Sequence, residues 1–311
     1  MEIIVLGAGA IGSLYGAKLA AANDVTLIAR AEHARAINAD GLRVKGIEFQ
    51  TIRVRAATRV EKLKPNTLVL LTTKVPATAS AVESIAPFVR DDTTILALQN
   101  GLGADDVARS ALHGRGIVLR GISQFGAIFE QPGVIRYMVK GYTLLEDHPR
   151  SARISDVLNA AGLDCRISAD IKTEIWRKLI FNCVVNPITT IIRSEVGQIV
   201  GPALNRLKQL VIDECLTVAA AEGVSIKSDL MAEVNAAYAG SKNIVSMRQD
   251  LIRGRATEID YLNGAIVALA AKHGLDCPVN DGLTKIVKGM ENASLGMAQQ
   301  KRGDGAFINQ K

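Results

Sequence analysis

Aromatic side chains are scarce in this chain, at 4% of its 311 residues, and Trp176 is the single tryptophan. The core must therefore be filled with aliphatic side chains and alanine, which suits α/β layers and helix packing better than an aromatic-rich β-sandwich. Cysteine is sparse as well. Cys165, Cys183, Cys215 and Cys277 are widely spread, with no C-x-x-C pair and no histidine at ligand spacing, so neither a zinc site nor a disulfide framework is indicated. No apolar run approaches the roughly 18 residues of a membrane span, and residues 1–7 lack the basic stretch of a signal peptide. A cytoplasmic protein without a membrane partner is the expectation. No Lys/Arg run interleaves with aromatics, and 37 basic against 31 acidic residues leave only +6, so nucleic acid is not an expected partner. The same mild positive sign suits a phosphorylated cofactor and an anionic substrate.

What the chain does have is 48% hydrophobic and 22% charged residues, the balance of a globular protein with material for two domains. Residues 2–6 form an apolar run of the buried-strand kind, followed at once by Gly7-Ala8-Gly9-Ala10-Ile11-Gly12, a helical stretch over 13–22 and a second apolar run over 25–29. A G-x-G-x-x-G is a weak signal alone. Between a strand and a helix it reads as a dinucleotide turn, in which Gly7 makes the tight turn, Gly9 lets the backbone approach a pyrophosphate and Gly12 allows helix–strand contact. The alternative is a glycine turn that binds nothing.

Residues 42–54 alternate around Gly46 and predict an inserted hairpin. Further strands are expected at 67–71, 94–98, within 116–145 and at 163–168; beyond Asp170 the pattern is helical, over 171–192, 202–222, 229–239, 258–273 and 280–291. The fold class is α/β, with an N-terminal Rossmann-type dinucleotide-binding domain over 1–169 and a C-terminal all-helical domain over 170–311 that ends in a polar, mobile tail at 301–311.

An NAD site usually ends its second strand with a carboxylate that binds the adenosine ribose. This chain has Arg30 there, and a guanidinium pairs with a 2′-phosphate through forked, charge-assisted bonds, which favours NADP(H). A solvated surface arginine is the other reading.

In the helical half, Lys178, Asn182 and Asn186 fall at i, i+4 and i+8, drifting only about 40° per step along one helix stripe. One ammonium and two amides in an apolar wall resemble the lining of a ligand cleft, because amides left unpaired there are costly. Lys178 could instead pair with Glu174, and the asparagines could belong to a buried hydrogen-bond network. Pro187 donates no amide hydrogen, so a carbonyl near Cys183 should be freed and the helix should bend or loosen. Glu258 could cap the helix expected at 258–273.

These residues resemble the ketopantoate reductase (2-dehydropantoate 2-reductase) family. The markers are the glycine turn, Lys74, Gln99-Asn100-Gly101-Leu102-Gly103, Trp176-Arg177-Lys178-Leu179 with Asn182 and Asn186-Pro187, Ser246-Met247 with Gln249-Asp250, and Thr257-Glu258-Ile259-Asp260-Tyr261. The resemblance implies NADPH-dependent reduction of a 2-keto acid, 2-dehydropantoate above others, to the 2-hydroxy acid pantoate in pantothenate biosynthesis. It makes Lys178 the proton donor and Glu258 a catalytic residue that binds the cofactor side and helps place Lys178. Asn182, Asn186, Asn243 and Ser246 would hold the keto acid, Asn100 would touch both nicotinamide and substrate, and Lys74 and Ala127 would line the cofactor. No metal is implied, and a homodimer is a possible assembly. Reduction of another 2-keto acid, an opine- or polyol-phosphate-type dehydrogenase, and an NADP(H) sensor without turnover are the competing readings.

Overall fold

The computed structural model describes the backbone of residues 1–308 and the side chains of residues 1–294; the tail expected at 301–311 lies outside the residues whose side chains are described. The chain divides into two compact units, Met1–Ile171 and Lys172–Lys311.

The first unit runs β1 (Glu2–Leu6), α1 (Ala10–Leu19), β2 (Asp24–Ile28), α2 (Ala31–Asp40), β3 (Leu42–Gly46), β4 (Gln50–Ile52) and β5 (Arg55–Ala57). It continues with β6 (Leu68–Leu71), α3 (Thr78–Ile85), β7 (Thr94–Ala97), α4 (Ala104–Leu112) and β8 (Ile117–Ser123). It closes with β9 (Gly126–Gln131), β10 (Val134–Val139), β11 (Thr143–Glu146), α5 (Ser151–Ala160) and β12 (Cys165–Ser168).

Eight strands form one sheet in the order β12-β11-β8-β7-β6-β1-β2-β5. Every pairing from β8 to β5 is parallel, while β11 runs antiparallel to β8 and parallel to β12. The chain winds outward from β1 through β2 to β5, then crosses back to β6 on the other side of β1. The carboxyl ends of β1 and β6 therefore flank the switch point, where open α/β sheets take their ligands.

Alternation across the sheet explains why these strands read as unbroken apolar runs. Ile3, Val5, Leu68 and Leu70 enter one core with Leu14 and Tyr15 of α1 and Leu158 of α5. Ile4, Leu6, Val69 and Leu71 enter a second core with Val82 and Ile85 of α3 and Ala108 and Leu112 of α4. A strand buried on both faces has no position left for a polar side chain. The hairpin predicted at 42–54 forms as β3 and β4, but within a separate sheet, β4-β3-β10-β9, in which β3 also pairs parallel to β10. Periodicity marks strands; it does not name distant partners.

The second unit holds α6 (Ile171–Ile191), α7 (Asn205–Ala221), α8 (Leu230–Tyr238), α9 (Ser246–Ile252), α10 (Asn263–Lys272) and α11 (Pro278–Ile308). Asp229 caps α8, accepting from the Ala232 amide at 3.0 Å. The helix predicted at 258–273 is broken. A 3₁₀ turn, Ile259–Tyr261, comes first, Leu262 then leaves helical geometry at φ −111° and ψ −101°, and α10 opens at Asn263. Glu258 precedes the turn and makes no side-chain cap. Helix α6 passes through Pro187 without ending. No helix among the described residues is long and apolar enough to cross a membrane.

Candidate functional site

The glycine turn joins β1 to α1 at the switch point. Gly7 has φ +102°, and a Cβ there would lie 2.6 Å from the Thr73 amide nitrogen, so both conformation and space require glycine. At Gly12 a Cβ would meet Thr72 Oγ1 at 2.5 Å and the Gly7 carbonyl at 2.7 Å. Gly9 differs: its nearest contact would be the Gly7 carbonyl at 4.0 Å, so no protein atom crowds that position. The missing side chain leaves open space beside the first turn of α1, which has neither a side-chain cap nor an acidic residue. An uncapped helix end beside a bare backbone fits a dinucleotide phosphate. Ala8 is buried and Ala10 and Ile11 are half-buried, so they shape the turn while its glycines leave the access.

The Gly7 and Ala8 amides both donate to the Ile28 carbonyl, at 3.2 and 2.8 Å, which ties the turn to the end of β2. Two residues on, Arg30 is exposed at the N-cap of α2, and its guanidinium has no partner among the described residues. Across the switch point, Thr72 Oγ1 donates to the Gly7 carbonyl at 3.0 Å, and Lys74 stands exposed at the head of a 3₁₀ turn, Val75–Ala77. Asn100 follows β7 and is half-buried. Its neighbour Gln99 donates from Nε2 to Thr78 Oγ1 at 3.1 Å and Thr73 Oγ1 at 3.4 Å, joining the Asn100 turn to the Lys74 turn. Ala127 lies half-buried on β9, which runs alongside α1.

Two buried side chains support this arrangement without any marker in the sequence pattern. Arg120, on β8, donates to the carbonyls of Ala97, Gln99 and Gly101 at 3.0, 2.8 and 2.9 Å. Burial pushes its guanidinium below the usual value, and Asp105 opposes the shift. His33, on α2, accepts the Gly133 amide on Nδ1 at 2.8 Å, so its Nε2 carries the hydrogen and donates to Ser13 Oγ at 3.1 Å. Ser13 Oγ in turn donates to the Ala8 carbonyl at 3.3 Å, inside the glycine turn. Burial lowers the His33 pKa to about 4 and keeps the ring neutral.

In the second unit, Lys178 and Asn182 are half-buried on α6 and Asn186 is 8% exposed. Neither asparagine amide has a side-chain hydrogen-bond partner among the described residues, and neither is among the fully buried unsatisfied polar groups, so both stay accessible. The buried network forms from other residues. Asn263 donates to the Cys183 carbonyl at 3.0 Å and to Asn280 Oδ1 at 2.9 Å, while the Glu214 carboxylate accepts Asn280 Nδ2 at 2.7 Å. Glu174 enters no ion pair among the described residues, which removes the alternative partner for Lys178.

Asn243 is half-buried, and its carbonyl accepts the Val196 amide at 2.9 Å, while Gly197 donates to the Ser241 carbonyl at 2.8 Å. These bonds seat the Asn243 segment against the turn that follows α6. Ser246 is exposed at the first residue of α9, and Glu258 is half-buried. The Glu258 segment is held at its predecessor, since the Thr257 amide and hydroxyl both donate to Glu291 Oε1, at 2.7 and 2.5 Å.

Residues 3–150 match the family described as Ketopantoate reductase PanE/ApbA, and residues 170–291 match Ketopantoate reductase PanE/ApbA C terminal. The chain is 36% identical over 302 residues to the 2-dehydropantoate 2-reductase of Pyrococcus abyssi, covering 94% of this chain and 98% of that protein. Among solved structures, a PanE/ApbA family ketopantoate reductase from Ralstonia eutropha superposes with a TM-score of 0.87 at 31% identity, over 94% of this chain and 99% of that one. A D-mandelate dehydrogenase, solved with NADH and anilino(oxo)acetate, superposes at 0.86 with 27% identity over the same shares.

Proposed function

The chain belongs to the ketopantoate reductase family, and on that premise we propose that it reduces 2-dehydropantoate to pantoate with NADPH, Lys178 supplying the proton. It is an oxidoreductase that takes a nicotinamide dinucleotide and a small 2-keto acid. The observation that carries the reading is the α6 stripe, where Lys178 shares a face with a half-buried amide, Asn182, and a buried one, Asn186, and no side chain among the described residues is hydrogen-bonded to either. Accessible amides with open hydrogen-bonding capacity beside an ammonium offer the donors that the carbonyl and carboxylate of a keto acid accept.

A bound reduced nicotinamide supplies the hydride. As the carbonyl carbon accepts it, negative charge grows on the carbonyl oxygen, and a cationic N–H donor stabilises that charge before giving up its proton. Lys178 Nζ takes both roles in this proposal. Asn182, Asn186, Asn243 and Ser246 hold the keto acid, Asn100 touches both nicotinamide and keto acid, Glu258 orients Lys178 and binds the cofactor side, and Lys74 and Ala127 line the cofactor. The first unit is the NADP-binding domain and the second the substrate and catalytic domain.

NADP(H) is favoured because Arg30 is exposed, without a side-chain partner among the described residues, two residues beyond the strand end that receives the glycine-turn amides. A cytoplasmic homodimer belongs to the same proposal, and sedimentation of the purified protein reads the assembly. The deciding experiment is NADPH oxidation over a panel of 2-keto acids that includes 2-dehydropantoate and the keto acid of mandelate. The highest kcat/KM is expected for 2-dehydropantoate. Preference for another keto acid would move the substrate assignment, and no turnover with any would leave only cofactor binding.

A further inference from the structure

Asn100 stands in a turn whose backbone is held by a single buried cation. The carbonyls immediately before and after it, those of Gln99 and Gly101, both accept from Arg120 Nη2, at 2.8 and 2.9 Å. Arg120 Nη1 takes the Ala97 carbonyl at 3.0 Å, at the last residue of β7. Its Nε has no hydrogen-bond partner among the described residues and lies 3.7 Å from Asp105 Oδ1. The side chain is 4% exposed.

A guanidinium is an expensive way to fill a buried position. An aliphatic residue of similar volume often serves stability as well or better, and on the same strand Leu119 and Ile122 are buried aliphatics. What an aliphatic cannot do is pin two carbonyls that flank a single residue. The second anchor of the turn, Gln99 Nε2 on Thr73 and Thr78, holds only the side before Asn100. The side after Asn100 depends on Arg120, because Gly101 has φ +78° and Gly103 φ +76°, and glycines by themselves leave a backbone loose.

We propose that Arg120 is a positioning residue for the reduction, holding the turn at 99–101 so that Asn100 is presented in the geometry the reaction needs. This rests on the role proposed for Asn100. Misplacement of a group at a reacting centre by an ångström can cost about 100-fold in rate, so the effect should be kinetic as well as structural.

The test is a double-mutant cycle with R120M and N100A, read as kcat/KM, together with amide hydrogen exchange on the NADPH-free protein. R120M is expected to lower kcat/KM about 10–100-fold in the wild-type background and to add little in the N100A background. Exchange should quicken over residues 99–103 and stay unchanged in the glycine turn at 7–12. If R120M does not fold, D105N, which removes the charge facing Nε, is read in the same way, with R109M as the control for the ion pair that Asp105 also makes to Arg109 at 2.6 Å. Additive effects of R120M and N100A, or unchanged exchange over 99–103, would overturn the proposal. Wild-type inactivity on every keto acid would overturn the functional reading instead, because the exchange measurement does not depend on turnover.

Discussion

The side-chain amide of Asn263 donates to the main-chain carbonyl of Cys183 at 3.0 Å, filling the place of the N–H that Pro187 lacks. In an uninterrupted helix that carbonyl would accept the amide four residues on. The proline sits between Asn186 and the end of α6, so the helix carries a defect that a different helix repairs.

Asn263→Ala should therefore destabilise the protein by about 1–3 kcal/mol, since the Cys183 carbonyl and Asn280 Oδ1 lose a donor in a buried place. Adding Pro187→Ala should recover part of the loss, because it restores the intrahelical donor. Urea denaturation of the single and double variants reads both effects; no recovery in the double variant would show that the bond is incidental.

His33 gives a pH dependence with a definite sign. Its folded pKa is lowered from 6.5 to about 4, so between those values the unfolded chain binds more protons than the folded one. Stability falls as pH drops below about 6.5, and the loss approaches roughly 3 kcal/mol below pH 4. In His33→Asn, which does not titrate here, this component disappears. The wild-type advantage over the variant should shrink steadily on acidification, and a constant difference across pH would contradict the neutral, buried ring.

Arg30→Ala should weaken NADPH binding by about 1.5–3 kcal/mol and leave NADH binding almost unchanged, as expected when one charge-assisted partner of a phosphate is lost. Fluorescence titration with the two cofactors separates the readings. Equal losses for both would mean that Arg30 shapes α2 rather than reading the 2′-phosphate.

Lys178→Ala should lower kcat by about 10²–10⁴-fold while the fold and NADPH affinity persist. Arginine should restore little, since it keeps the charge but donates a proton poorly. Glu174→Ala is the control: with no ion pair to Lys178, it should turn over normally. Steady-state kinetics of the three variants decide whether Lys178 is the proton donor.

Much of the first unit was legible locally. The buried strands announce themselves as apolar runs because they are covered on both faces, and the glycine turn is readable because a strand, three spaced glycines and a helix leave few other arrangements. Asp229 likewise stands where a cap belongs. The freed carbonyl at Cys183 was legible too, since a proline's missing N–H is a covalent fact. The helix at 258–273 was misread because its apolar periodicity runs through a 3₁₀ turn and a break at Leu262, and helical spacing alone does not reveal a break.

The sequence by itself determined the glycine turn, the Arg30 position and the stripe of Lys178, Asn182 and Asn186, because each depends on spacing within one element. Only the tertiary structure decided what those elements rest on. Arg120 reaches the Asn100 turn from a neighbouring strand, His33 reaches Ser13 and Gly133 from α2, and Asn263 reaches Cys183 from α10. It also decided that Asn182 and Asn186 stay out of the buried network, which Asn263, Asn280 and Glu214 form instead. Such bonds join residues far apart in the chain, and a buried polar group finds its partner through the packing of whole elements, which no local pattern encodes.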